Sequence, residues 1–236
     1  MSKNKKMFDK YKQFVYYMFT KGRKLIGWFK FSLSFLFRGD RMGHYFTNEN
    51  LPSDIREFNC TVLNNHFKFL TDNGVFSKDG LDFGSRLLLE VIPLEEVGGK
   101  ILDMGCGYGV IGIVLAKVLS VKVDMVDVNH RALHLSERNA KLNGVLDYVS
   151  IFESDCYQNV IRKYSTIVTN PPIRAGKKIV YDIVMNARNY LEDGGNLFLV
   201  IRKEQGAKSL IVDLEKVYTV KVLGKKKGFF IIQCHL

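Results

Sequence analysis

The stretch that most constrains the fold is I-L-D-M-G-C-G-Y-G, residues 101–109. A short apolar run, Ile101-Leu102, ends in Asp103, and glycines follow at alternate positions: Gly105, Gly107 and Gly109. Residues 110–119 are apolar and of helix length. The pattern reads as a strand, a glycine turn and the start of a helix. Glycine is required where the backbone takes a positive φ or must approach a ligand with no Cβ in the way. The helix start then offers free backbone N–H groups to a polar or anionic ligand group.

The spacing is G-x-G-x-G behind an acid, not the G-x-G-x-x-G of a pyrophosphate cradle. Asp103 would repel a pyrophosphate and suits a cationic or amine-bearing ligand. The next strand, 121–126, ends in a second acid, Asp127. An acid there, about 20 residues after the loop, commonly holds ribose hydroxyls. Together these residues predict a nucleoside bound at the carboxyl ends of parallel strands.

Strands and helices alternate beyond this point. The sequence predicts helices at 129–142, 179–191 and 205–216, with strands at 148–152, 166–169, 196–201, 217–223 and 228–234, the last two pairing as a hairpin around 224–227. Asp193-Gly194-Gly195 reads as the stop of the second of these helices. Upstream, 61–70 reads as a strand, 71–74 as a turn and 75–77 as a short return strand. A helix follows over 87–92, capped by Asp82 or Ser85 and ended before Pro93; Pro52-Ser53-Asp54 reads as a turn able to start a short helix. The alternation implies a doubly wound, mostly parallel α/β sheet with its ligands outside the strand carboxyl ends.

Charge divides the chain. The net charge is +11, of which residues 1–45 hold +9. That segment interleaves lysines with aromatics, and its longest apolar piece, 25–37, carries Lys30. It falls short of the ~20 residues of a membrane span, and no small-residue cleavage signal follows it. Three readings stay open for this extension: an RNA-binding arm, a segment on an anionic membrane surface, or a tail packed on the domain of residues 46–236. The four cysteines are far apart and form no C-x-x-C pair, which points to a reducing cytoplasm. His130 and His134 share one helix face with no evident third ligand and read as surface residues, so no metal is expected.

Asp103, Asp127, Asp155 and Asn170 all fall at carboxyl ends of successive predicted strands, which converge on one crevice in an open α/β sheet. Asp155 is placed to accept a hydrogen bond from an adenine amino group, or else to cap a helix. Asn170-Pro171-Pro172-Ile173 follows the fourth strand of the core. A proline pair removes two N–H donors and fixes both φ angles, so it costs stability unless a rigid shape is needed. The Asn170 side-chain oxygen and a proline carbonyl make two acceptors in one plane, which suits an exocyclic NH2. Drawing on both hydrogens returns lone-pair density to the nitrogen and makes a poor nucleophile reactive. The competing reading is a rigid turn with a capping Asn.

The glycine loop and the two acids resemble the S-adenosylmethionine site of class I methyltransferases. N-P-P-[hydrophobic] is similar to the motif of members that modify planar amines: adenine N6, guanine N2 or a glutamine amide. The run G-V-F-S-x-x-x-x-D-F-G-S-R-L-L, residues 74–88, with D-M-G-C-G-Y-G and N-P-P-I-R-A-G-K, resembles one subgroup, the small-subunit ribosomal RNA guanine-N2 methyltransferases and their single-domain relatives. The similarity covers residues 60–234 and leaves the extension out. It implies a Rossmann-like, seven-stranded sheet with an antiparallel last strand and S-adenosyl-L-methionine as cofactor. Asp103 would lie near the amino-acid part of the cofactor and Asp127 at its ribose. Asp82, Gly84 and Ser85 would line the pocket, and Asn170 would hold the target amine. The chain departs from the larger members in lacking room for a second, degenerate methyltransferase domain, and in placing Ile173 where many amine methyltransferases have a base-stacking aromatic. Stacking would then fall to another residue, such as Phe76.

The reaction so implied is direct in-line methyl transfer, with no strong general base, to an unpaired or flipped-out base. Arg174, Lys177 and Lys178 would grip RNA phosphates beside the site, and Lys225-Lys226-Lys227 either join them or form a solvated turn. The other readings are an adenine or protein-glutamine methyltransferase, a small-molecule methyltransferase, and an RNA-binding assembly factor that has lost turnover.

Overall fold

A computed structural model describes residues 51–236; the basic extension, 1–45, lies outside the described residues. The domain opens with an antiparallel hairpin, β1 (Arg56–Val62) and β2 (Asn65–Thr71). Its turn is Leu63-Asn64, with φ of 49° and 60°, so both central residues are left-handed, as a type I′ hairpin turn requires. The expected single strand over 61–70 is therefore two strands folded at its start, and 75–77 forms no return strand. The alternation over 61–70 is loose, and its break at Leu63-Asn64-Asn65 marks the turn. Nor does a helix start at Pro52-Ser53-Asp54. Ser53 Oγ donates to Asp72 at 2.7 Å and the Asp54 N–H donates to the same carboxylate at 2.6 Å, which holds the segment extended.

Five helices and seven further strands complete the described chain: α1 (Phe83–Val91), β3 (Ile101–Met104), α2 (Val110–Leu119), β4 (Val123–Asp127), α3 (His130–Leu142), β5 (Val149–Glu153), β6 (Tyr164–Thr169), α4 (Lys177–Asn186), β7 (Leu191–Arg202), α5 (Ala207–Leu214), β8 (Thr219–Lys226) and β9 (Phe229–His235). The seven strands form one sheet in the order β5-β4-β3-β6-β7-β9-β8. The first five neighbours pair in parallel; β9 is antiparallel to both β7 and β8. The expected doubly wound, mostly parallel seven-stranded sheet is present. Its last strand is inserted between β7 and β8.

Two element boundaries differ from the sequence reading. Helix α4 stops at Asn186, because Leu191 already pairs with Tyr164; the residues Asp193-Gly194-Gly195 lie inside β7 at a slip in register, with Gly194 at φ 75°. In the last hairpin the turn is Lys227-Gly228, with φ of 48° and 79°. Gly224 sits inside β8, where a Cβ would come within 3.0 Å of Val91 on α1.

Side chains of α1, α2 and α3 bury one face of the sheet and those of α4 and α5 the other. On α1, Leu87, Leu88 and Leu89 are all buried, each contributing about 1.5–3 kcal/mol relative to exposure. The β1–β2 hairpin is bound to α3 by two asparagines. Asn139, fully buried, accepts from the Leu70 N–H at 2.7 Å and donates to the carbonyls of Leu70 and Tyr108 at 2.9 and 2.8 Å. Asn143 repeats the exchange with Lys68. Asn139→Ala should lower the unfolding free energy by about 2–4 kcal/mol, because it strands three backbone groups away from water. Urea denaturation with an unchanged m-value checks this.

Candidate methyl-transfer site

The chain runs β3, β4, β5 outward to one edge, then returns to lay β6 against the other side of β3. That reversal between β3 and β6 is where an open α/β sheet leaves a crevice at its strand carboxyl ends. Thr169 Oγ1 donates to the Met104 carbonyl at 2.7 Å and closes the two strands together just below it. Asp103 and Asn170 therefore stand at adjacent strand ends, and the site of the inserted Cβ at Gly105 lies 3.9 Å from Pro172 Cδ. The glycine loop and the proline pair, far apart in sequence, form one wall.

Asp103 is fully buried. Its Oδ2 accepts from the Gly112 N–H at 2.8 Å, while Oδ1 has no hydrogen-bond partner among the described residues. Burial, opposed by that N–H and reinforced by Asp127, pushes the carboxyl up to about 7. A buried carboxylate oxygen without a partner has a free-energy cost that a cationic ligand group would relieve.

The glycine loop turns back on the end of β4: the N–H groups of Gly105 and Cys106 both donate to the Val126 carbonyl. Gly105 and Gly107 take φ of 72° and 57°, and a Cβ on Gly107 would meet nothing within 4 Å. Space is open there for a ligand. Asp127 accepts from the Gly107 N–H at 2.9 Å on one oxygen and from the Asn129 N–H at 2.9 Å on the other. Burial raises its carboxyl against those bonds. Each oxygen keeps a second lone pair for a hydroxyl. Gly109 is the left-handed N-cap of α2.

Asn170 is held from the other side. Its Nδ2 donates to Asp82 Oδ2 at 3.0 Å and to Ser85 Oγ at 2.9 Å. A carboxylate only accepts, so the amide nitrogen must face Asp82, and Oδ1 is turned away, with no protein donor among the described residues. Asp82 meanwhile caps α1, accepting from the Ser85 N–H at 2.9 Å. Both residues offered as alternative caps thus act together, Asp82 as the cap and Ser85 as its partner. Gly84 has a packing role: a Cβ there would lie 2.9 Å from both Asp82 Oδ2 and Phe229 Cε1.

The remaining predicted residues fall around this centre. Asp155 is exposed at the carboxyl end of β5. Ile173 and Arg174 lie in a 3-10 turn straight after the prolines, and Lys177 and Lys178 open α4, all three cations exposed. Phe76 is 60% exposed; its loop is tied to the glycine-loop side, where Tyr108 donates to the Gly80 carbonyl and Asn129 Nδ2 to the Gly74 carbonyl. Sequence reasoning missed those two anchors, although Tyr108 stands between two of the glycines. His130 and His134 line a groove of about 400 Å³ between α3 and edge strand β5, with Glu137 and Glu153. That groove includes none of the residues above. Among the described residues no three potential ligands group to hold a metal, and no helix is long and apolar enough to cross a membrane.

A family model, the methyltransferase small domain, matches residues 66–233. The chain belongs to that family. The match bears out the reading of the motifs as those of a class I, S-adenosylmethionine-dependent methyltransferase. The family's relatives include the uncharacterized protein YbxB of Bacillus subtilis (strain 168), 44% identical over 195 residues, which span 80% of this chain and 96% of that protein. Ribosomal RNA small subunit methyltransferase C of Aeromonas hydrophila is 38% identical over 155 residues, 64% of this chain and 44% of that protein. Among solved structures, the T. thermophilus 16S rRNA N2 G1207 methyltransferase RsmC, in complex with AdoMet and guanosine, superposes with a TM-score of 0.70 at 26% identity, over 78% of this chain and 51% of that one. The chain thus spans about half the length of these ribosomal RNA methyltransferases and nearly all of YbxB.

Proposed function

We propose that this protein transfers a methyl group from S-adenosyl-L-methionine to the exocyclic amine of a base in RNA, guanine N2 of small-subunit ribosomal RNA. The observation that carries the reading is the fixed Asn170 amide, its nitrogen held by Asp82 and Ser85 and its oxygen left without a protein donor among the described residues. Likeness to the methyltransferase C proteins and to the N2 G1207 enzyme supports the choice of ribosomal RNA and of guanine.

When bound, S-adenosylmethionine supplies a methyl group on a sulfonium centre. Asp103 Oδ1 would pair with the positive amino-acid portion, Asp127 with ribose hydroxyls and Asp155 with the adenine amine. Asn170 Oδ1 and the Pro171 carbonyl would accept the two N–H bonds of the target amine and aim its lone pair along the transfer line. The amine carries the new methyl as an ammonium and loses its proton to solvent, so no strong base is required of the chain. Arg174, Lys177 and Lys178 would hold RNA phosphates at the rim.

Transfer of labelled methyl from S-adenosylmethionine to small-subunit RNA or particles lacking the modification tests this, with nucleoside analysis of the product. The expected product is N2-methylguanosine. Label in methyladenosine would overturn the base; label only in protein would overturn RNA as substrate; cofactor binding without transfer would favour a non-catalytic assembly role. The extension of residues 1–45 is proposed as an RNA arm, whose deletion should then reduce the dependence of RNA affinity on salt.

A further inference from the structure

Ile173 leaves the proline motif without a ring, and Phe76 belongs to a loop tied to the glycine-loop side. A ring pair stands instead next to Asp82, the residue that holds Asn170. Strand β7 continues past Leu199, which pairs with Thr169 at the end of β6, through Val200 and Ile201 to Arg202. Arg202 pairs with Phe229, the first residue of β9. These strand ends rise as a lip above the crevice. Phe229 packs on Phe83 with ring centroids 5.4 Å apart and planes tilted by 50°. Phe83 directly follows Asp82, the residue that holds Asn170, and the missing Cβ of Gly84 is what lets Phe229 come this near Asp82.

Both rings are half-buried, and cations lie over them. The Arg202 guanidinium is 4.9 Å from the Phe229 centroid, and Lys227 Nζ is 5.0 Å from the Phe83 centroid. Lys226 pairs with Phe229 across β8 and β9, while Lys225 lies over Phe230 on the other face of the sheet. Arg202, Lys203, Lys225, Lys226 and Lys227 are all exposed. Glu204, 3.8 Å from Arg202, is the acid among them. Each cation covers a ring face, and an exposed cation can swing onto a phosphate and leave that face to a base. Rings beside a row of cations are how proteins hold unpaired nucleotides, the rings stacking on bases and the cations on phosphates.

We propose that Phe229, backed by Phe83, is the stacking surface for the base delivered to Asn170, and that Arg202, Lys226 and Lys227 hold the phosphates flanking it. This rests on the reading of Asn170 as an amine-binding residue and on an RNA substrate. It makes Phe229 a positioning residue for the reaction and gives the lysine hairpin a role in substrate binding.

The test uses the full chain and a short, unstructured RNA carrying a single 2-aminopurine, whose fluorescence falls when it stacks on a ring. Wild type should bind and quench it. Phe229→Leu should lose the quenching and bind about tenfold more weakly, equivalent to stacking one base, with S-adenosylmethionine affinity unchanged and a melting temperature lower by about a few degrees from the lost ring pair. Phe229→Tyr should restore quenching. Lys227→Gln and Arg202→Gln should each lower the slope of log affinity against log salt by roughly 1, a readout that does not depend on how Phe229→Leu folds. Equal quenching by wild type and Phe229→Leu, or unchanged slopes, would overturn the proposal. Quenching lost in Phe229→Leu, in a wild type that methylates no RNA, would keep this surface and sink the proposed activity. Methylation with kcat and KM unchanged in Phe229→Leu would do the reverse.

Discussion

Asn170→Ala should lower methyl transfer by about 10²–10³-fold, the loss typical of removing one fixed polar group from a reacting centre, while S-adenosylmethionine binds within about threefold of wild type. The reason is geometric. Two hydrogen bonds, to Asp82 and Ser85, fix the amide plane before substrate arrives, so Oδ1 needs no reorganisation to accept the amine. The loss should appear in kcat more than in KM, since the interaction strengthens as the nitrogen gains positive charge. Isothermal titration with the cofactor and single-turnover transfer to RNA separate the two effects. Turnover within tenfold of wild type would remove Asn170 from the reaction.

The second large effect is one of pH. Burial holds the Asp103 carboxyl protonated up to about 7, with Asp127 adding to the shift and the Gly112 N–H opposing it. A cationic ligand group pairs only with the ionised form. S-adenosylmethionine affinity should then be flat above pH 8 and fall roughly tenfold per pH unit below about 7. In Asp103→Asn it should be weak throughout and lack that dependence. The ligand-free protein should behave oppositely. A carboxyl whose folded pKa exceeds its unfolded value keeps its proton longer in the folded state. Its contribution to stability is therefore present below the unfolded pKa, fades as pH rises toward 7, and is absent above it. Asp103→Asn should be more stable than wild type at pH 8 by up to about 4 kcal/mol, the equivalent of a shift of about 3 pKa units. A melting-temperature series from pH 5 to 8, with and without cofactor, reads both effects. A cofactor affinity independent of pH would separate Asp103 from the ligand.

The sheet, and the grouping of Asp103, the glycine loop, Asp127 and Asn170 at its strand ends, were legible because both are written in local chemistry. Glycines that need a positive φ, acids that end apolar runs and a proline pair after a strand each constrain the chain within a few residues. What was not legible depends on contacts between distant segments. The turn at Leu63-Asn64 lacks the glycine that marks most two-residue hairpin turns, and Leu63 at φ 49° is a residue no turn rule favours. Asp193-Gly194-Gly195 has the composition of a helix stop, yet pairing of Leu191 with Tyr164 draws it into a strand. The bonds from Asn170 to Asp82 and Ser85 cross 88 and 85 residues, which no spacing rule anticipates. Gly84 shows the same limit. The resemblance placed it at the cofactor; the close approach of Phe229 and Asp82 Oδ2 is a second demand on its missing side chain that no local rule gives.

The insertion of β9 between β7 and β8 bears on how the domain is made. Strands β4 to β7 each pair with a strand already synthesised, β4 and β6 with β3, β5 with β4 and β7 with β6. Strand β8 cannot: its sole neighbour in the sheet is β9, which is translated after it. Until Phe229–His235 emerges, β7 presents an open edge of apolar residues and β8 has nothing to pair with. The nascent domain thus passes through a stage with an exposed template for aggregation, and Phe229 reaches Gly84 only when that stage ends.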